Sequence, residues 1–339
     1  MTKGRLRLLI GLAVSAVCLY FALRSVDPGT LVEAYRGAEY VVLLPAVVLT
    51  IVVNWARAYR WRLLMYPNDR QPLGRLFSMV NIGYLFNSVF PAKVGEVVRG
   101  YLAGRLLPGG IAQALSTLLV ERLLDVLTLV LLLAALLPMV ALPRWSVTAG
   151  LAFGAAALAG TGVLVVLARL GEGALDRLWG TVGRVPGLGD HRVRAALTHL
   201  LDGLRVLTEG QRLPGIAFWS LLIWVGYVLC NYITLAAFHL GHLSPVAAAV
   251  TVCATGLSMV VPSSPGAFGP VEGALIFALG LYGVGESQAF AYALGQHALN
   301  IAVLVLLGLW GLRSESLSFS SVRERALGGA EESPQESER

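Results

Sequence analysis

From Leu213 to Leu312 the sequence carries two formally charged residues, Glu272 and Glu286, and not one Lys or Arg. A soluble domain devotes roughly a quarter of its residues to charge, so a stretch this long and this bare cannot cover itself against water. Further uncharged runs occupy residues 8–23, 40–56, 76–92, 126–143 and 145–168. Crossing hydrocarbon as a helix takes about 20 residues, and most of these runs are too long for buried soluble helices. Over the whole chain 56% of residues are hydrophobic and 14% charged. Together these features predict one all-α integral membrane bundle over residues 1–313, where a soluble chain of 339 residues would divide into two domains. Lys3, Arg5 and Arg7 precede the first run, which reads as a transmembrane helix rather than a cleaved signal peptide because more spans follow.

Loop charges select a topology. Arg57, Arg60, Arg62, Arg70 and Arg75 place the loop after the second run in the cytoplasm, whereas Asp27, Glu33 and Glu39 outnumber Arg36 ahead of it. The stretch from Leu76 to Leu107 contains Asn81, Asn87 and Ser88, breaks at Pro91, and continues through Lys93, Glu96, Arg99 and Arg105. Polar, broken backbone at membrane depth needs protein or a wet cavity around it, so this stretch is expected to be a helical hairpin that enters and leaves on the cytoplasmic side. Spans near 111–137 and 147–169 then go out and return. The loop from Arg169 to Arg212 carries seven basic and five acidic residues, with an interfacial amphipathic helix over 191–208. A span over 214–240 leads to a second broken segment: apolar Val246 to Val261, then Pro262-Ser263-Ser264-Pro265-Gly266-Ala267-Phe268-Gly269, then apolar Val271 to Leu281. The last span, near 289–312, returns to the cytoplasm.

On this reading each half, about 5–140 and 145–313, contains three crossings and one re-entrant hairpin, which gives the halves opposite orientations. The expected fold is an inverted-repeat helix bundle of about six full spans plus two re-entrant helical hairpins, with both termini cytoplasmic and a disordered tail over 314–339. Interrupted segments in corresponding places point to a transporter's midplane site.

Ionisable groups at membrane depth cost at least a few kcal/mol each and therefore face partners or cavities. Glu96 and Arg99 lie one turn apart, suited either to mutual pairing that locks the hairpin or to lining a path. Glu121, Arg122 and Asp125 form either an ion-pair cluster at a helix end, with Arg122 snorkelling, or part of that path. Glu272 has no basic residue of its own half to neutralise it, so it is the plainest functional candidate. His297, with Gln296 and Asn300 on the same span, is a packing residue or a proton relay. Arg57, Arg60 and Arg62 read as topology signals, with headgroup binding as the alternative, and Trp55, Trp61, Trp145 and Trp310 as interfacial belt residues. Gly266, Gly269 and Gly273 follow no strand and precede no Lys-Ser/Thr pair, so they form no nucleotide loop. Cys18, Cys230 and Cys253 lack metal-ligand spacing. Neither a cofactor nor a metal is expected, and the sequence offers no nucleophile-base set for an enzyme.

The run Asn87-Ser88-Val89-Phe90-Pro91-Ala92-Lys93-Val94-Gly95-Glu96-Val97-Val98-Arg99, then Glu121-Arg122-Leu123-Leu124-Asp125, then Pro262 to Gly269 with Glu272, resembles the transmembrane flippase-like region of the lysylphosphatidylglycerol synthase family over roughly residues 5–315. The resemblance implies a bacterial inner-membrane protein that moves a lipid headgroup between leaflets. In full-length synthases of that family a soluble aminoacyl transferase domain follows; here the chain continues with about 25 polar residues, so aminoacylation is not expected.

The expected function is that of a lipid flippase or scramblase-like transporter acting on a phospholipid or polyprenyl-linked headgroup. Its path would be lined by Asn87, Pro91, Lys93, Gly95, Glu96, Arg99, Glu121, Arg122, Asp125, Pro262, Ser263, Ser264, Pro265, Gly266, Gly269, Glu272, His297 and Asn300. Alternatives are an ion-coupled small-solute transporter and an accessory membrane subunit of a lipid or glycan synthase. The expected partners are an anionic phospholipid or lipid-linked headgroup, the bilayer, and a separate synthase or a second copy of the chain. The net charge of +6 is explained by loop orientation rather than by nucleic acid.

Overall fold

The computed structural model describes residues 13–20, 22–23, 26–90, 93–140, 144–182, 191–259 and 264–327. Among them regular structure is helical throughout, with no strand. Helix α1 covers residues 13–20; residues 8–12 and 21 of the first apolar run, and Arg7 before it, lie outside the described residues. Asp27 caps α2 (Pro28–Gly37) by accepting the Thr30 N–H, with Pro28 in the first turn, where its missing N–H is not needed. That hydrogen bond also holds the exposed Asp27 carboxyl below its ordinary range.

Three helical stretches are long and apolar enough to cross a membrane: Tyr40–Leu64, which contains α3 (Leu43–Leu64), α9 (Leu213–Ala237) and α12 (Glu286–Ser314). Only 33–39% of their most apolar windows is buried within the protein. Large apolar side chains such as Val48, Leu221 and Leu306 point outward, as lipid-facing surface requires. Helix α6 (Gly110–Leu136) carries Glu121, Arg122 and Asp125 in its interior. Helix α7 (Arg144–Val182) continues well past Arg169, where the loop was expected to begin: a basic residue marks the edge of an apolar run, and no proline interrupts the helix between Arg169 and Val182. Helix α8 (His191–Leu204) and a 3-10 turn over Arg205–Thr208 occupy the predicted amphipathic segment.

The bundle has two chemically distinct ends. At one, Asp69 pairs with Arg212, Arg75 with Glu315 at 3.0 Å, and Gln71 Nε2 donates to the Leu106 carbonyl at 3.1 Å. The end of α3, the start of α9 and the end of α12 therefore meet, and Arg62, Arg70, Arg105 and Arg313 on the segments around them make this the basic end. At the opposite end the Glu39 N–H bonds the Ala237 carbonyl and the Asp27 N–H bonds Ser287 Oγ. So α3 and α12 run one way and α9 the other.

Each proline-glycine break divides a helical hairpin. Helix α4 (Leu73–Val89) and α5 (Val94–Gly104) have their free ends at the basic end. Helix α10 (Pro245–Ser258) follows the end of α9, and α11 (Pro270–Gly280) leads into the start of α12, so this hairpin opens at the opposite end. At about 1.5 Å per residue, the 11 to 17 residues of these four helices reach about 16–26 Å, short of the roughly 30 Å hydrocarbon core.

Helix α13 (Phe319–Leu327) lies in the stretch expected to be a disordered tail. Phe319 stacks on Phe86 at 4.5 Å and Val322 is buried, apolar contacts that a composition-based reading of a Ser- and Glu-rich segment overlooks. Residues 328–339 lie outside the described residues.

A buried arginine and carboxylate cluster, and a separate histidine dyad

Glycine brings the first hairpin's helices into contact. A Cβ on Gly95 would stand 1.8 Å from the Gly83 carbonyl oxygen, and one on Gly83 would stand 2.4 Å from Arg99 Cγ. Asn87 Oδ1 accepts the Gly95 N–H at 2.8 Å, and Lys93 opens α5 in the left-handed region at φ 54. This tight crossing lets Arg99 pass α4 and reach α6. There its guanidinium donates to both oxygens of Glu121, at 2.8 and 3.3 Å, above the Trp61 ring at 4.2 Å. Trp61 Nε1 donates to Thr117 Oγ1 at 3.0 Å.

Helix α3 supplies Arg57 and Arg60, one turn apart. Asp125 accepts from Arg57 with one oxygen and from Arg60 with the other, each at 2.6 Å. Arg57 also reaches Glu121 at 3.1 Å and Tyr227 Oη on α9 at 2.7 Å, while Arg60 donates to Ser220 Oγ at 3.1 Å. Arg122 binds Glu121 at 2.8 Å and approaches Asp125 and Glu96 at 3.5 Å. Arg57, Arg60, Arg99 and Glu121 are buried, whereas the side chains of Arg122 and Glu96 are 35% and 29% exposed. The cluster is thus a closed core with one accessible edge.

Four guanidiniums face three carboxylates, leaving one net positive charge inside a helix bundle. All four arginines also keep a buried Nε–H with no hydrogen-bond partner; Arg122 Nε is within ion-pair range of Glu96 but lacks hydrogen-bond geometry. Unused donors and unbalanced positive charge suit a phosphate or carboxylate, which guanidinium binds through charge-assisted hydrogen bonds.

The second break is built around His297. Its Nδ1 lies 2.6 Å from Glu272 Oε1 and its Nε2 2.7 Å from the Gly266 carbonyl oxygen, with the Phe268 ring beside it at 4.6 Å, tilted by 36°. Glu272 Oε2 accepts the Gly269 N–H at 2.6 Å, one half of a capping box at the start of α11. The Ser264 N–H donates to Ser15 Oγ of α1 at 2.8 Å, and the Pro265–Ala267 turn packs against α4. Asn300 lies half-buried one turn beyond His297.

The residues expected to line one path therefore fall into two groups. Glu96, Arg99, Glu121, Arg122 and Asp125 come together beside Asn87 and Gly95, and Lys93 is exposed near them. Ser264, Pro265, Gly266, Gly269, Glu272 and His297 form the second group. No hydrogen bond or ion pair among the described residues joins the groups. Pro91, Pro262 and Ser263 lie outside the described residues.

Three expectations change. Glu96 and Arg99 do not pair with each other: Arg99 is taken by Glu121 across the helix interface, and Glu96 faces Arg122. Glu272 does not lack a partner, because His297 Nδ1 lies 2.6 Å from its Oε1. Arg57 and Arg60 are not loop signals, since α3 extends to Leu64 and buries both; cutting the apolar run at its first arginine hid them. Their i, i+3 spacing inside a continuing helix was the available signal. Trp61 is likewise fully buried, while Trp55 and Trp310 are exposed as belt residues would be.

The family model described as the lysylphosphatidylglycerol synthase TM region matches residues 8–308. A UPF0104 membrane protein of Methanothermobacter thermautotrophicus is 26% identical over 331 residues, covering 91% of this chain and 94% of its own length. Glycosyltransferase AglD of Haloferax volcanii is 27% identical over 360 residues, 95% of this chain but 56% of its own length. A UPF0104 membrane protein of Methanocaldococcus jannaschii is 26% identical over 224 residues, covering 66% of this chain and 90% of its own length. These three relatives are archaeal, whereas the resemblance read from the sequence implied a bacterial membrane.

Proposed function

We propose, for a chain that belongs to the lysylphosphatidylglycerol synthase TM region family, that it moves the phosphate-bearing headgroup of a membrane lipid between leaflets while the acyl chains stay in the bilayer. The observation that carries this reading is the excess positive charge of the Arg57, Arg60, Arg99 and Arg122 cluster, with its four unused Nε–H donors. Such a cluster is costly in a bilayer and is retained where an anion completes it. Arg122 and Glu96 form the edge at which a headgroup enters.

In this reading α1, α6 and α7 also cross the membrane, giving six spans, and the two hairpins are re-entrant. The halves are then inverted copies, and the basic end faces the cytoplasm. The hairpins' opening at opposite ends supports the inversion, and the contact of the Pro265–Ala267 turn with α4 supports a meeting of the two breaks. The substrate class is an anionic phospholipid or a lipid-linked sugar phosphate. The second arises because one relative is a glycosyltransferase of which this chain spans 56%, and that same likeness supports a second reading, an accessory membrane subunit of a glycan synthase.

Purified protein in liposomes separates these. Headgroup-labelled phosphatidylglycerol and a zwitterionic lipid are followed as the inner label becomes accessible to an impermeant quencher. Faster exchange of the anionic lipid than in protein-free vesicles supports the transporter. Rates equal to protein-free vesicles for both lipids, and for a polyprenyl phosphate, would exclude it and favour the subunit reading.

A further inference from the structure

Both ring nitrogens of His297 face acceptors, Glu272 Oε1 at 2.6 Å and the Gly266 carbonyl oxygen at 2.7 Å. A carbonyl has no proton to give, so Nε2 carries one and donates it. The Nδ1–Oε1 contact joins two atoms that each bear a lone pair unless one is protonated. One more proton therefore sits between them, on the imidazole or on the carboxyl group, and in either form the dyad is neutral overall. The second Glu272 oxygen is taken by the Gly269 N–H, so no acceptor of the dyad is left over.

Among the described residues, the neighbouring elements offer no substitute for that proton. Beside the break, α1 has Cys18 and Tyr20, and α4 has Arg75, which pairs with Glu315 at the basic end, and Tyr84. Helix α10 has Cys253, and α11 has no titratable group besides Glu272. On α12, Glu286 and Arg313 stand at the two ends, and Tyr292 Oη donates to Asn231 Oδ1. Of the helices packed on α12, α2 brings Glu33, Tyr35 and Arg36, with Tyr35 Oη bound to the Ala291 carbonyl. The others are α3, whose Arg57 and Arg60 are committed to Asp125, and α9, with Tyr227, Cys230 and Tyr232. Glu272 has no ion-pair partner other than His297 among the described residues.

We propose that Glu272 and His297 form a proton-binding site that latches the second break onto α12. With the proton bound, imidazole ties the Gly266 carbonyl on one side and the α11 cap on the other. Without it, a neutral His297 has one N–H for two acceptors. Whichever tautomer it adopts, a lone pair then meets either the carboxylate or the carbonyl at hydrogen-bond distance, and the latch opens. Gly266, Ala267 and Gly269 have φ of 72, 60 and 95, and Ala267 holds the left-handed region against its own Cβ, so a freed break has a more relaxed conformation to adopt. The released proton passes to water admitted by the opening. What the proton drives rests on the reading of this break as part of a headgroup path; the latch itself stands on the dyad's geometry.

The test is a thiol probe. In a chain whose Cys18, Cys230 and Cys253 are serine, Ser264→Cys in nanodiscs without substrate is reacted with an impermeant maleimide across a pH series. Because the thiolate is the reacting form, every rate is divided by that of the exposed His242→Cys in the same background at the same pH, and the expected result is a several-fold rise in this ratio as pH increases. Glu272→Gln replaces the shared proton with an amide N–H that donates to Nδ1 while the amide oxygen keeps the Gly269 N–H, so this variant is expected to label slowly at every pH. His297→Ala, which unties Gly266, is expected to label rapidly at every pH. A Glu272→Gln chain that follows the parent's pH course, or a parent whose labelling ignores pH, would overturn the latch. Absence of lipid movement in the same preparation would count against the proposed transport and not against the latch, which is read with no lipid substrate added.

Discussion

Arg57 on α3 and Asp125 on α6 lie 2.6 Å apart, and the other oxygen of the same carboxylate lies 2.6 Å from Arg60. One aspartate thus closes two arginines of one helix onto a second helix. Asp125→Asn leaves both guanidiniums buried without that charge, and breaking a buried pair in this way costs about 3–5 kcal/mol. The variant is expected to unfold at clearly lower denaturant in detergent micelles; an unchanged midpoint would mean the cluster does not hold α3 to α6.

The Gly83–Gly95 crossing sets the position of Arg99. Gly95→Ala drives a methyl into the Gly83 carbonyl oxygen, so it should push α5 off α4, part Arg99 from Glu121 and lower both thermal stability and transport. Gly74→Ala on the same hairpin meets nothing within 4 Å and should be neutral or slightly stabilising, by about 0.5–1 kcal/mol. Thermal unfolding of the two variants side by side checks the contrast.

The Ser264 N–H reaches Ser15 Oγ across 249 residues of sequence. Ser15→Cys with Ser264→Cys, in a chain lacking its native thiols, is expected to form an intramolecular disulfide under mild oxidation, seen as a mobility shift reversed by reductant. Failure to cross-link would place α1 away from the second break.

The basic end carries the Asp69–Arg212 and Arg75–Glu315 pairs, and the opposite end the α9–α10 turn. Asn68→Cys and His242→Cys should therefore react with an impermeant thiol reagent from opposite sides of sealed vesicles, position 68 from the cytoplasmic face. Labelling of both from one side would contradict the proposed orientation.

The apolar runs and the two proline-glycine breaks were legible in the sequence because span length and chain interruption are one-dimensional signals. The expected edges at Pro214 and Leu312 fall within a residue or two of the start of α9 and the end of α12. Partner choice was not legible. Arg99 bonds Glu121, 22 positions away, rather than its neighbour Glu96, and Glu272 bonds His297 across 25 positions; both depend on which helix faces meet. Arg57 and Arg60 were hidden by the habit of ending a span at its first arginine, which fails when that arginine is buried against an acidic residue.

In the proposed transport, unbalanced arginine charge holds the lipid phosphate, with Arg122 at the accessible edge of the cluster. The most direct measurement is the rate at which anionic headgroups cross liposomes containing Arg122→Gln, set beside Arg105→Gln, whose arginine is exposed and lies over Tyr101 outside the cluster. Losing one charge-assisted hydrogen bond, about 1.5–3 kcal/mol, is expected to slow crossing by about ten- to a hundredfold in Arg122→Gln, while Arg105→Gln keeps the parent rate. Equal rates in both variants would contradict the account.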